Sequence, residues 1–329
     1  MKRNILLAVA LAATILSCKS NLADPSSPAL PEAVSFGSYV PFTRTTSITS
    51  ANLTDFGVYA YYNPSGGWTS ALTPNFMFDQ KVEGSAAAGF TYSPLKYWPK
   101  NEGETISFFA YAPYKSETNG IAESSAPSSA GSPLISYTLP EDEASQIDLL
   151  RAAPVPGRTS FDGQVRFNFS HALSRIGISV KAPAAVIAGG SAVYLNSVSL
   201  EASFPASGVL DLGTGAWNLL SAGSSRTYSR DLGATESGLS VGTSEYPVLT
   251  GDDYIMCIPG GTIRTYLAVT YTVVTPDAAL AAGKSLIVNT VNLQTDVAAQ
   301  SGKTFTIVLN LSPDAVVFDA PVVSDWEDV

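Results

Sequence analysis

Short runs of alternating or aromatic residues recur along this chain, each closed by Gly, Pro, Asn or Ser. "TISFFAYA" (105–112) and "KTFTIVLNL" (303–311) are two of them. Aromatic and β-branched residues suit a pleated, half-buried surface, and a period of two directs alternate side chains to one face. Comparable runs lie at 34–40, 56–62, 134–139, 146–152, 164–169, 175–181 and 193–202, then at 254–258, 264–274 and 285–293. The stretch "AVVFDAPVVSDW" (315–326) holds a last strand interrupted by Pro321. No window of 12 or more residues carries a 3.6-residue period; "PDAALAAG" (276–283) has room only for one or two helical turns. Many short strands separated by turns predict sandwiches or barrels, so the expected class is all-β.

A chain of 329 residues exceeds one small sandwich and suits two domains in tandem. The Pro/Gly-rich stretch "PVPGRTSFDG" (154–163) is the expected break, giving an N-terminal β-sandwich over 33–158 and a C-terminal one over 159–329. Charged residues make up 14%, and Ser, Thr, Gly and Ala fill the surface instead.

The N-terminus reads as an export signal. Lys2 and Arg3 precede the 12-residue apolar run "ILLAVALAATIL", too short for a comfortable membrane span. "ILSC" (15–18) follows, a small residue and then Cys18, the pattern of a bacterial lipobox. Residues 1–17 are then a lipoprotein signal peptide, Cys18 is the acylated mature N-terminus, and 18–32, rich in Ser and Pro, is a tether. The alternative is an ordinary signal peptide with an incidental cysteine. Processing leaves 16 basic against 28 acidic residues, a net charge of −12. Such a surface repels phosphate backbones and argues against nucleic-acid binding. Acyl chains would supply the membrane attachment. Cys257, the other of the two cysteines, then has no partner and reads as a buried packing residue.

Catalytic patterns fail one by one. His171 is the single histidine, and no Cys pair accompanies it, so it reads as structural. "GLSVG" (238–242) matches a nucleophile elbow, but no histidine follows Ser240 and "EYPVLTG" behind it reads as strand, not helix. "SPLK" (93–96) lacks a helix start and the companion motifs of its class. "GKS" (283–285) and "GKT" (302–304) lack the first glycine of a P-loop and read as hairpin ends. The acidic run 141–143 and the Asp252–Asp253 pair lack the ligand spacing of a calcium loop. Trp68, Trp98 and Trp217 either form a sugar-stacking platform or anchor the sandwich; Trp98, in "YWPK", reads as a core anchor. No catalytic residue, cofactor or metal site is expected.

One charge stands out. Arg44 is the sole basic residue between Lys19 and Lys81. It lies in a Ser/Thr-rich linker between "AVSFGSYV" (33–40), where Val34, Phe36 and Val40 alternate with Ser35, Gly37 and Tyr39, and the strand "FGVYAYY" (56–62).

The order of blocks resembles the fimbrillins, the pilin and pilus-associated lipoproteins of Gram-negative anaerobes. The lipobox, "SFGSY", a Thr-Arg linker and "NLTDFGVYAYY" come first, then "LKYWPKNEGETISFFAYAPY" (95–114), the most specific part. "QIDLLRA", "FNFSHALSRIGISVK" and the ending "APVVSDWEDV" complete the match over nearly the whole mature chain. The resemblance implies two transthyretin-like Greek-key β-sandwich domains and display on the outer membrane and in fimbriae. It further implies cleavage by an arginine-specific surface protease between Arg44 and Thr45, loss of strand 33–40, and an open groove. Val34, Phe36 and Val40 fill that groove beforehand, and a strand from another subunit, from around residues 314–329, replaces them. Pro321 sits awkwardly in such a donor, because it cannot donate to a ladder. Two alternatives stay open: an uncleaved, lipid-anchored anchor or accessory adhesin, and a surface glycan-binding lipoprotein. Arg44 itself is either a scissile residue or an incidental charge in a polar linker.

Overall fold

The computed structural model describes residues 32–40, 48–49, 51–142, 145–221, 223, 225–249 and 253–326. The chain is all-β, built of packed sheets; the one α-helix among the described residues is the five-residue Ala184–Ala188. The expected helical turns at 276–283 form the closed end of a hairpin instead, with Asp277 N–H donating to the Gly283 carbonyl at 2.9 Å.

An eight-stranded sheet dominates the N-terminal half. Its central strands are Thr105–Ala112 and Asp55–Asn63, paired antiparallel from Gly57–Tyr111 to Asn63–Thr105. Both are buried on both faces, which explains their near-continuous apolar sequences. Phe56, Val58 and Ala60 point with Ile106, Phe108 and Ala110 into one cluster; Tyr59, Tyr61, Phe109 and Tyr111 point into the other. Gly57 leaves room for the Tyr111 ring, since a Cβ there would stand 2.3 Å from a ring carbon. The Tyr111 hydroxyl donates to Asp79 Oδ1 at 2.8 Å, and burial, then the Asp79 carboxylate, pushes its pKa up.

The sheet curls until its margins meet. The first strand, Phe36–Tyr39, lies at one end and Gly89–Thr91 at the other. Phe36 reaches Tyr92 with ring centroids 5.2 Å apart, and Ala33 bridges Tyr97. The first cluster is thereby enclosed.

The expected boundary at 158/159 does not divide the sheets. Val165–His171, beyond it, pairs with the first strand and with Leu150–Ala152 inside the N-terminal sheet. Leu134–Thr138, before it, pairs with Ser207–Asp211 from the second half. The chain leaves the N-terminal sheet between His171 and Ser174 instead. The Pro/Gly-rich stretch itself holds a short strand, Val155–Arg158, paired with Thr105–Ala112, because long-range pairing rather than local composition decides which sheet a segment joins.

The C-terminal half is a sandwich. Ser174–Lys181 runs parallel to Lys303–Leu311 in a six-stranded sheet, and Ala192–Ser203 with Gly261–Pro276 forms the centre of a five-stranded one. Ile176, Ile178 and Val180 meet Val198, Leu200, Leu267 and Val269 within the core. "GLSVG" lies partly in the strand Leu239–Val241, hydrogen-bonded to Val193–Leu195, so it is no elbow. Gly283 and Gly302, with φ of 69° and 68°, sit at turns just before strands, as expected of hairpin ends.

Candidate functional site: the first strand, its groove and the C-terminal strand

The first strand pairs parallel to Val165–His171, from Phe36–Val165 to Tyr39–Asn168. The alternation read from the sequence holds: Val34, Phe36 and Val40 are each 1% exposed, whereas Tyr39 points outward. Phe36 sits among the rings of Phe56, Tyr92, Phe108 and Phe167, with centroids 5.2–6.4 Å away. Burying a side chain of this size contributes about 1.5–3 kcal/mol, with edge-to-face contacts adding to it.

The strand is held on both margins. Gln164 Nε2 donates to the Phe36 carbonyl at 2.9 Å on the Val165–His171 side. On the other side Val34 N–H donates to the Lys96 carbonyl at 2.9 Å and Trp98 N–H to the Glu32 carbonyl at 3.0 Å. The Tyr92 hydroxyl donates to the Val34 carbonyl at 2.8 Å. Trp98, 5% exposed, closes this end of the cluster against Phe108, as the core-anchor reading expects. One position fits poorly: the Ser38 hydroxyl is shut from solvent and has no hydrogen-bond partner among the described residues. Cys18, Arg44 and Thr45 lie outside the described residues.

At Ile48 a buried network begins. Ile48 N–H donates to Asp148 Oδ2 at 3.2 Å. The same carboxylate takes His171 Nδ1 at 3.0 and 2.9 Å through its two oxygens. His171 stacks flat on Trp326, with centroids 4.4 Å apart and planes 4° apart. The buried Arg175 guanidinium lies between the rings of Tyr254, at 4.1 Å, and Trp326, at 4.9 Å. The single histidine is thus a structural link from Ile48 to the end of the C-terminal strand.

That end is lightly built. Val316–Phe318 pairs with Leu309–Leu311, and Val322–Asp325 pairs with Lys303–Thr306 along the same neighbour. Pro321 falls between the two short strands, the break expected of a residue with no N–H. Val322 and Val323 are 46% and 50% exposed, so Trp326 and the Lys303–Asp325 ion pair anchor the segment.

The tryptophans form no exposed platform. Trp68 is half-buried, packed edge-on to Tyr61 and Phe109; Trp217 is half-buried and donates Nε1–H to the Ala172 carbonyl at 2.9 Å. Packing of both indoles into the core withdraws the feature that favoured glycan stacking. Cys257 is buried and its thiol pKa is pushed up to about 12 by burial, as a packing residue requires. Asp253 pairs with Arg230 at 3.2 Å.

Sequence reasoning missed the Asp148–His171–Trp326 chain and the groove strand Val165–His171 as partner of the first. The alternation of Val165, Phe167, Phe169 and His171 was visible, but its destination was not.

A relative named Fim1C, a fimbrium subunit of Phocaeicola vulgatus, is 29% identical over 219 residues, 61% of this chain. The match spans 57% of that relative's length. A crystal structure of a fimbrial protein from Bacteroides vulgatus superposes with a TM-score of 0.71 at 23% identity, covering 90% of this chain and all of that one, and so shows the same fold. The fimbrillin-like family profile matches residues 43–326, from the linker to the terminal tryptophan, and the chain belongs to that family.

Proposed function

We propose that this protein is a fimbrial structural subunit, not an enzyme, that contributes to adhesion at the cell surface. It is exported as a lipoprotein, acylated at Cys18 and carried to the outer membrane. An arginine-specific surface protease cuts between Arg44 and Thr45. The first strand then leaves, and the C-terminal segment of another subunit enters the groove.

The observation that carries this reading is the first strand itself. It places Val34, Phe36 and Val40 in an apolar groove, yet its covalent connection to the strands that follow runs through the linker that contains Arg44. Its loss uncovers Phe56, Phe108 and Phe167 together with the open margin of Val165–His171. An incoming strand restores both, with ladder hydrogen bonds supplying affinity and alternating side chains supplying register. The shallow seating of Val322–Asp325 leaves that segment free to be lent with little loss of buried surface.

The test is limited digestion of the folded full chain with an arginine-specific protease, followed by N-terminal sequencing and electron microscopy. A new terminus at Thr45 and growth of fibres are expected. Resistance at Arg44 while loops elsewhere are cut would falsify polymerisation by strand removal. A second reading, an uncleaved anchor or accessory adhesin, draws on the double-sided holding of the first strand, which leaves the uncut fold complete. Mass spectrometry of sheared fimbriae separates the two: a terminus at Thr45 marks the polymerising subunit, an acylated Cys18 the anchor.

A further inference from the structure

The free margins of these sheets are not alike. Exposed strand edges invite pairing with other chains, and proteins blunt them with charge, proline, bulges or brevity. Gly89–Thr91 has three residues and Trp217–Ser221 five. Ser225–Asp231 carries Arg226, Arg230 and Asp231. Lys284–Ala299 has no proline, bulge or brevity to blunt it, and its only charges are Lys284 and Asp296. It is 16 residues long and pairs with Gly261–Pro276 at every position without a bulge. Among the described residues no strand pairs with its other margin. Between Lys284 and Asp296 it reads "SLIVNTVNLQT", with no charge, proline or glycine. Leu286, Ile287 and Val288 are exposed side by side within it.

We propose that this edge pairs antiparallel with the same edge of a second copy of the chain, across a two-fold axis at Thr290. The charges select that register. Lys284 and Asp296 are the only charged residues of the strand, and they lie six positions either side of Thr290. A two-fold at Thr290 therefore sets each Lys284 opposite Asp296 of the second copy; moving the axis along the strand leaves both without an opposite charge. The same register sets Ile287 against Leu293. Within one copy Lys284 already meets Glu236 at 2.5 Å and Asp296 meets Arg264 at 3.5 Å. Pairing joins these into a four-membered row of alternating charge, Glu236–Lys284 of one copy and Asp296–Arg264 of the other, at each end of the seam. The charges set register and the ladder supplies cohesion. The contact is isologous and closes on itself, so it yields pairs. It uses neither terminal strand, and it stands or falls separately from strand exchange.

The experiment is sedimentation of the full chain, never exposed to protease, over a range up to high micromolar concentration. A monomer–dimer equilibrium is expected. Thr290→Lys, which puts two ammonium groups opposite each other on the axis, weakens it at least about tenfold. Lys284→Glu also weakens it, and Lys284→Glu combined with Asp296→Lys restores it. A chain that stays monomeric throughout overturns the proposal. So does a dimer indifferent to Thr290→Lys. If Thr290→Lys fails to fold by circular dichroism, the charge-exchange pair decides alone, and loss without restoration overturns the register.

Discussion

The first and last strands of this molecule are built in opposite ways. Phe36–Tyr39 is short, yet the segment from Val34 to Val40 sends three apolar side chains into an enclosed aromatic cluster and is held along both margins. Val322–Asp325 rides on an outer edge with both valines about half exposed, and its security comes from the buried Trp326 beyond it and the Lys303–Asp325 ion pair. Each pairs with one neighbouring strand over four residues; the bonds on the first strand's second margin and its side-chain burial set the two apart. A strand of the first kind leaves a costly hole when it goes, whereas one of the second kind leaves almost none. An asymmetry of this sort suits a chain that gives up one end and lends the other.

Substitutions sharpen the contrast. Phe36→Ala removes a ring from among four others and is expected to cost about 3–5 kcal/mol. The reading is the first denaturant midpoint of the full chain, since two packed halves need not unfold together. A loss below about 1 kcal/mol would break the claim that the first strand is a core element. Asp148→Ala comes next. It deprives both His171 and the Ile48 N–H of their shared acceptor, and hydrogen bonds to a charged group contribute about 1.5–3 kcal/mol. Amide exchange should quicken at Ile48 and at Trp326 together; quickening at only one would show that the two ends are not linked.

Ser38→Ala has the reverse sign. It deletes a buried hydroxyl with no partner among the described residues, so the first strand should hold more tightly by about 1 kcal/mol. The midpoint then rises, and exchange of the strand in the polymerisation assay slows. A neutral or destabilising result would mean that the hydroxyl is satisfied. Smallest is Val323→Ser, expected within about 0.5 kcal/mol because the side chain is half in water. A larger drop would make the last strand a core strand after all, and the comparison would fail.

Most strands were legible from residue order. "TISFFAYA" and "KTFTIVLNL" match observed strands to the residue, because a run of aromatic and β-branched side chains bounded by turn residues is a local signal. Met77–Ser85 was not foreseen. Its buried Asp79, with φ of 45°, and the polar run around it break the alternation. The helix Ala184–Ala188 was missed as well, since a single turn carries no period. Within the candidate site, the inward faces of Val34, Phe36 and Val40 and the core role of Trp98 were legible, whereas residue order left Trp68 and Trp217 open between a stacking platform and a core anchor. An indole looks the same in sequence whether it faces solvent or, like Trp217 at the start of its strand, reaches a carbonyl 45 residues away.

Sequence by itself determined the class, the strands with strong alternating or aromatic runs, the face that Val34, Phe36 and Val40 present, and the break at Pro321. Each of these follows from the period of two or from the absence of a proline N–H, and neither depends on what lies elsewhere in the chain. Only the tertiary structure decided that the first strand lies against Val165–His171, with Gln164 reaching back to Phe36 across 128 residues. It alone joined Ile48, Asp148, His171 and Trp326 into one network. Partner choice rests on long-range burial and register, which a strand's own residues limit but do not specify.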